Sequence, residues 1–346
     1  MHPDSTAINE RAEEEQKQLI IEVMKAFVKE SPLNWSDVLQ GPYYDEPIIQ
    51  FASADDPLFE EYKSIIGPGH ATPKEVIERS FGSGTYNGGS VISIVLPIHE
   101  SIRKANRQQK ERASREWALL RTFGDEYFLK AARLYLTDYL KKLGRLAAAP
   151  LDTDWYGISS SETGPISNWS ERHVAYAAGL GTFSLNDGFI SEKGIAIRLL
   201  SVVTDLQFPS NPRSAATHTG NCLLCSKGNC GVCITRCPVQ AISTNGHDKI
   251  ACMKFVYGQG SREWAAQSGG EATSGAGCGL CQTKVPCESR NPMRNISEVR
   301  STSLAEVLFC LFRMFRADPL LQIITIIESP IFSVELAIID CTALKL

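Results

Sequence analysis

No window of this chain holds the roughly 18 consecutive apolar residues that a membrane-spanning helix needs. The greasiest stretch, Leu320 to Ile327, is interrupted by Gln322 and Thr325 and stopped by Glu328, so no contact with a membrane is expected. The opening residues, Met1-His2-Pro3-Asp4-Ser5, lack the basic-then-apolar pattern of an export signal and hold no twin arginine, and a cytoplasmic location is expected from that. Positive charge is not in excess either. With 35 Lys and Arg against 39 Asp and Glu, the net charge of -4 removes nucleic-acid binding as a default expectation. No internal repeat of about 20 to 50 residues is visible, and Gly82-Ser83-Gly84 follows no clear strand, which argues against a dinucleotide-phosphate loop. What is left is a folded protein with 43% hydrophobic residues and a length of 346, enough for two domains and a sizeable core.

Periodicity places the main elements. Between Asn9 and Lys29, the residues Leu19, Ile20, Val23, Met24 and Phe27 recur at three and four, a helix with one apolar face that Ser31-Pro32 ends. From Gly41 to Gly89 the density of Pro, Gly, Asp and Ser predicts mostly loop. Val91 to Leu96 is β-branched and closed by Pro97, the pattern of a buried central strand. Arg107 to Leu143 reads as a long helix or a broken pair with Gly144 as its stop. Its inward side is Trp117, Leu120, Phe123, Phe128, Ala132, Leu136, Tyr139, Leu140 and Leu143. Ser170 is placed to cap a helix running to Gly179, and Ile195 to Leu206 suits a second strand. Near the end, Leu304, Val307, Leu308, Leu311, Phe312 and Phe315 make one more helical face, which would serve as core or, in a redox scaffold, as an interface.

Eleven cysteines without a signal peptide read as metal ligands, because the cytosol keeps thiols reduced. Nine fall between Cys222 and Cys287, in a segment rich in Gly and poor in long apolar runs, whose shape must come from ligation more than from burial. The first run is Cys222-x2-Cys225-x4-Cys230-x2-Cys233-x3-Cys237-Pro238. Its second half matches the end of the bacterial two-cluster ferredoxin run, in which a tight loop wraps one cubane and the cysteine before proline is directed to the other. A regular run would place its first ligand at Lys227, so that role passes to Cys222 or Cys225. With Cys252, Cys278, Cys281 and Cys287 the sequence supplies two four-iron-four-sulfur clusters and one spare thiol. One cluster takes Cys222 or Cys225 with Cys230, Cys233 and Cys287; the other takes Cys237, Cys252, Cys278 and Cys281. Two four-cysteine zinc sites are the competing assignment, since C-x2-C pairs also hold zinc.

Together with Ser170-Glu171-Arg172-His173-Val174-Ala175-Tyr176-Ala177-Ala178-Gly179-Leu180-Gly181 and Val202-Val203-Thr204-Asp205-Leu206, these cysteines make the chain resemble the corrinoid- and iron-sulfur-dependent epoxyqueuosine reductases and the related reductive dehalogenases. The likeness covers residues 90–292 or so. It implies an α/β (α+β) fold in which a nitroreductase-like corrinoid-binding domain is followed by a small ferredoxin-like domain. Four segments are expected: a lead-in over 1–89, an α/β domain over 90–215, a two-cluster domain over 216–292 and a tail of unassigned role over 293–346. The resemblance further implies cobalamin lying over Ala178, Gly179, Leu180 and Gly181, where small side chains let a flat macrocycle approach, with Ile197 to Thr204 as a second wall.

Glu162, in Glu162-Thr163-Gly164-Pro165, stands where the family keeps Asp-Thr-Gly-Pro and is the implied proton donor. Electrons would come from an external donor such as a ferredoxin or flavodoxin, and the substrate would be a transfer RNA or a small molecule. The chain departs from the family in the stretched first run, in Glu for Asp and in lacking a helical-repeat domain for transfer RNA. Arg290, Arg294, Arg300, Arg313 and Arg316 are too scattered for an RNA footprint. The missing twin arginine counts against an exported dehalogenase. A two-cluster ferredoxin-type electron carrier without corrinoid or catalytic site is the alternative.

Overall fold

A computed structural model describes the backbone of residues 5–271 and 275–294, with side chains from residue 13 onward. The described residues up to Met293 form one compact unit. The apolar face expected over Leu304 to Phe315 lies outside the described residues. In chain order the first half contains α1 (Ser5–Glu30), the short hairpin β1 (Trp35–Ser36) and β2 (Gly41–Pro42), β3 (Ile48–Ser53), α2 (Leu58–Ile65), α3 (Pro73–Phe81), β4 (Ser90–Pro97), α4 (Glu100–Arg107), α5 (Arg115–Leu119) and α6 (Leu129–Lys142). Then come β5 (Ala147–Ala148), the hairpin β6 (Ile158–Ser161) and β7 (Gly164–Ser167), α7 (Glu171–Ala177), the hairpin β8 (Gly181–Phe183) and β9 (Phe189–Ser191), and β10 (Ile197–Thr204).

β4 and β10 are the spine. The sheet order is β3-β4-β10-β5 and every pairing in it is antiparallel. Side chains of a strand alternate between faces, and here both faces are covered. Ile92, Ile94 and Leu96 of β4, with Leu200 and Val202 of β10, enter a core shared with α1, α5 and α6. Val91 and Val95, with Ile197 and Val203, enter a second core shared with α2, α3 and α7. All eight residues of β4 are buried for this reason, which explains why its sequence reads as an apolar run. Burying each large aliphatic side chain contributes about 1.5–3 kcal/mol.

Three expectations are corrected in detail. The stretch from Gly41 to Gly89, read as mostly loop, holds β3 and two helices. Its Pro and Gly mark the ends of elements, and Thr72-Pro73-Lys74-Glu75 is a full capping box with proline at the first helical position. Leu19, placed on the apolar face of α1, is 48% exposed, because the buried stripe runs through Ile20, Met24 and Val28. Leu143 is likewise exposed at the frayed end of α6, where Gly144 at φ +75° closes the helix.

The helix expected from Arg107 begins only at Arg115, because Arg107 ends α4; from there α5 passes through a π-helical segment, Leu120–Phe128, into α6 without a break. That wide turn points Asp125 inward, where it accepts from Tyr44 Oη at 2.6 Å and from Arg198 Nε of β10 at 2.9 Å. A side chain at Gly124 would meet Leu120 and the Tyr44 hydroxyl.

Beyond β10 the chain forms α8 (Leu223–Lys227), α9 (Val232–Arg236), the hairpin β11 (Ile242–Ser243) and β12 (Gly246–His247), α10 (Lys249–Val256) and α11 (Gln259–Ser268). α8, α9 and α10 bury none of their residues. Among the described residues no helix is long and apolar enough to cross a membrane.

Candidate metal centres and the ground beside them

Short helices separated by left-handed glycines bring the cysteines in from distant parts of the chain. Cys222 is the residue before α8, Cys225 lies within it, Cys233 lies within α9 and Cys237 ends α9. Cys252 lies in α10, and Cys278 sits between Gly277 and Gly279, at φ +68° and +65°. Such a backbone wraps tightly without a side chain in the way.

Four of the nine line one cavity: Cys222, Cys230, Cys233 and Cys287 face it together with Ile190, Ile195 and Val285. Cys222 is buried and Cys225 is exposed, outside that lining. The remaining four are mutual neighbours. Burial pushes the Cys281 thiol well up, and proximity to Cys278, Cys252, Cys233 and Cys237 adds to it. Burial and the neighbouring Cys252 and Cys237 likewise take Cys278 to about 11. The Ala241 N–H donates to the Cys237 sulfur at 3.2 Å. Beside this set, Asp187 holds the His247 imidazole at 3.1 Å and, with the Cys252 thiol, raises it to about 9.

In the cavity set burial, with neighbouring thiols adding to it, takes Cys287 to about 12 and Cys233 to about 11. Thiols packed so that each disfavours its neighbours' thiolates are costly to ionise unless a cationic centre sits among them. The donor chemistry fits an iron-sulfur cluster at each set. Among the described residues no three His, Cys, Asp or Glu converge on the point-like geometry of a single metal ion.

Glu162 stands exposed at the tip of the hairpin β6–β7, whose register pairs Ser161 with Gly164. The hairpin lies on α10: a side chain at Gly164 would strike Lys249 Cβ at 2.8 Å. Glu162 is thereby carried on a loop that touches the helix holding Cys252. Apolar side chains stand uncovered on these two elements, Ile158 at 68%, Ile250 at 38% and Met253 at 37% exposure, and just past α10 Tyr257 at 46%.

Ala178, Gly179, Leu180 and Gly181 are put to a different use from a cradle. Ala178 and Leu180 are buried in the second core. The space freed at Gly179, at φ +77°, is taken by the Pro212 carbonyl, 2.7 Å from where a Cβ would stand. The space at Gly181 is taken by the Ile190 carbonyl across the β8–β9 hairpin. These four residues do not offer a corrinoid an open face, and the wall expected from β10 is the interior of the sheet, with only Arg198 and Leu199 partly exposed.

Sequence reasoning passed over Glu171. At the first position of α7 it looks like an ordinary complement to the helix dipole, yet both its carboxylate oxygens are buried, next to Ser201. Burial pushes the carboxyl up to about 7, with Ser201 and Arg133 drawing it part of the way back. Nearby, Trp169 Nε1 donates to Ser201 Oγ at 3.0 Å, and Arg133 grips Asp152 with two bonds of 2.7 Å. Arg172, the next residue, touches solvent and donates to the Asp187 carbonyl, yet desolvation pulls its guanidinium down.

On the other side of α7, Ser170 Oγ lies 2.8 Å from His173 Nδ1 and its N–H donates to His70 Nε2 at 3.1 Å. Burial takes His70 to about 4 and His173 to about 3, so both rings are neutral packing and hydrogen-bonding partners.

No family model matches the chain, and no curated protein matches it. Among solved structures it is similar to the epoxyqueuosine reductase from Bacillus subtilis, at 19% identity and a TM-score of 0.45 over 80% of this chain and 66% of that one. It is similar to a selenomethionine-labelled epoxyqueuosine reductase at 20% identity and a TM-score of 0.44, with the same coverage. The chain spans just under two thirds of the length of both. At this distance the likeness transfers no residue role.

Proposed function

We infer that this chain is an iron-sulfur oxidoreductase that carries two four-iron-four-sulfur clusters and moves electrons one at a time. Cys222, Cys230, Cys233 and Cys287 would hold one cluster, and Cys237, Cys252, Cys278 and Cys281 the other. The observation that carries this reading is the single cavity lined by four cysteines drawn from both ends of the region. A ferredoxin run whose last cysteine crosses to the other site would produce such an arrangement. Bound clusters supply one-electron reduction at low potential. The chain's own residues supply thiolates, an apolar wall of Ile190, Ile195 and Val285 beside the first site, and the Ala241 N–H to the Cys237 sulfur.

The substrate belongs on the uncovered apolar ground of the β6–β7 hairpin and α10, next to Cys252 and in reach of the Glu162 loop, with Glu162 delivering the proton. An epoxyqueuosine reductase-like activity, on transfer RNA or on a small molecule, is the form of this function that the sequence resemblance favours. A corrinoid would need a seat other than Ala178 to Gly181. That packing favours a second reading, a two-cluster electron carrier.

Anaerobic reconstitution tests both. We expect about eight iron and eight acid-labile sulfide per chain; zinc without sulfide overturns the clusters. Cobalamin retained through gel filtration supports the enzyme with a seat elsewhere, and none retained supports the carrier.

A further inference from the structure

An open pocket lies between the end of α4 and α9, and four cations line it: Arg107, Lys110, Arg236 and Lys284. None of its lining residues is acidic. Local positive charge of this kind runs against the chain's net -4. The floor is rigid. Arg236 donates to the carbonyls of Gln109 at 2.7 Å, Thr283 at 3.1 Å and Leu280 at 3.2 Å. Arg107 is held by the buried Glu288 carboxylate at 2.8 Å, which also pairs with Arg103. The Lys284 N–H donates to the same carboxylate at 2.7 Å, which fixes Lys284 at φ +58°. Lys110 and Lys284 are exposed at the rim. Arg103 and Arg107 are paired with Glu288, and Glu100 stands 3.9 Å from Arg107.

The pocket also abuts both cysteine sets. Val232 on its wall precedes Cys233, and Arg236 precedes Cys237; neighbouring Cα atoms are about 3.8 Å apart. Lys284 lies between Cys281 and Cys287. A donor seated here would be one residue from a ligand of either proposed cluster. No aromatic ring lines the pocket, so it lacks the stacking platform that single-stranded nucleic acid uses.

We propose that this basic pocket is the docking site for an acidic one-electron donor protein of the ferredoxin or flavodoxin class. The proposal rests on the iron-sulfur reading above. Charge complementarity of this type chiefly raises the association rate and makes it salt-dependent.

The test uses the reconstituted holoprotein and the variant Lys110→Glu/Lys284→Glu. Reduction of the clusters is followed by stopped flow with a reduced acidic flavodoxin and, separately, with photoreduced deazaflavin, a small reductant that needs no docking. The expected result is a flavodoxin rate that falls roughly tenfold or more in the variant and loses its dependence on salt, with unchanged iron content and deazaflavin rate. An unchanged flavodoxin rate on intact clusters overturns the docking site alone. Protein that holds no reducible iron overturns the cluster reading and this proposal with it. Transfer RNA binding that the variant loses while the flavodoxin rate stays the same would assign the pocket to RNA, and would also overturn it.

Discussion

Glu171→Gln should make the protein more stable at alkaline pH, and the gain should itself depend on pH. Burial holds the Glu171 carboxyl at about 7 in the folded chain against an ordinary value of 4.5. The folded value is the higher one, so the folded state binds the proton more tightly. Its contribution is complete below about pH 4.5 and is lost as pH rises through about 7. Ionising the group in place then costs about 3 kcal/mol. Most of that change accumulates between the two values, so roughly 2 kcal/mol should separate pH 5.5 from pH 8. The glutamine variant has no proton to lose, and its stability should not show this decline. The assay is denaturant unfolding of both proteins across that range, with infrared difference spectra to follow the protonated carboxyl band that the variant lacks. A stability difference that stays flat with pH, or a band that vanishes near 4.5, would refute the reasoning.

Further outcomes follow from the same geometry. Cys222→Ser should remove about half of the reconstituted iron, whereas Cys225→Ser should leave the iron content unchanged; equal losses would place both thiols at the metal. Glu162→Gln should abolish turnover while the cluster spectrum stays as in the parent, and full turnover would take Glu162 out of the mechanism. Gly179→Ala should destabilise the cofactor-free protein by about 2 kcal/mol or more, from the left-handed backbone and the Pro212 carbonyl. A variant as stable as the parent, read by thermal melting, would mean that the small residue serves something other than this contact.

Periodic signals were legible wherever tertiary structure agreed with them. β4 is apolar at residues of both faces because cores lie on both of them, and α1 shows a helical stripe because only one of its faces is covered. The stretch from Gly41 to Gly89 was hidden by its punctuation, since prolines and glycines that end elements look the same as those that fill loops. That Cys287 would face the same cavity as Cys230 and Cys233 is what a Cys-Pro crossing leads one to expect. The choice between Cys222 and Cys225 could not be read from the sequence, because it depends on which thiol the fold turns toward Ile190 and Ile195. Small residues at Ala178 to Gly181 have two physical meanings, a place for a ligand or a place for the chain's own carbonyls, and one sequence cannot separate them. Glu171 escaped notice because its local position is ordinary and only the packing round it is not.

Trp117, at the start of the helix that runs through the π turn, is buried with the Arg198 guanidinium over its ring at 5.3 Å. A Cβ at Gly279, the residue after Cys278, would fall 2.0 Å from its indole carbons. An indole pressed against the backbone between two proposed iron ligands is a built-in fluorophore. Its emission would be quenched when the second site fills and would recover as that site is lost, so assembly and oxidative decay could be timed by light alone, without label or iron assay.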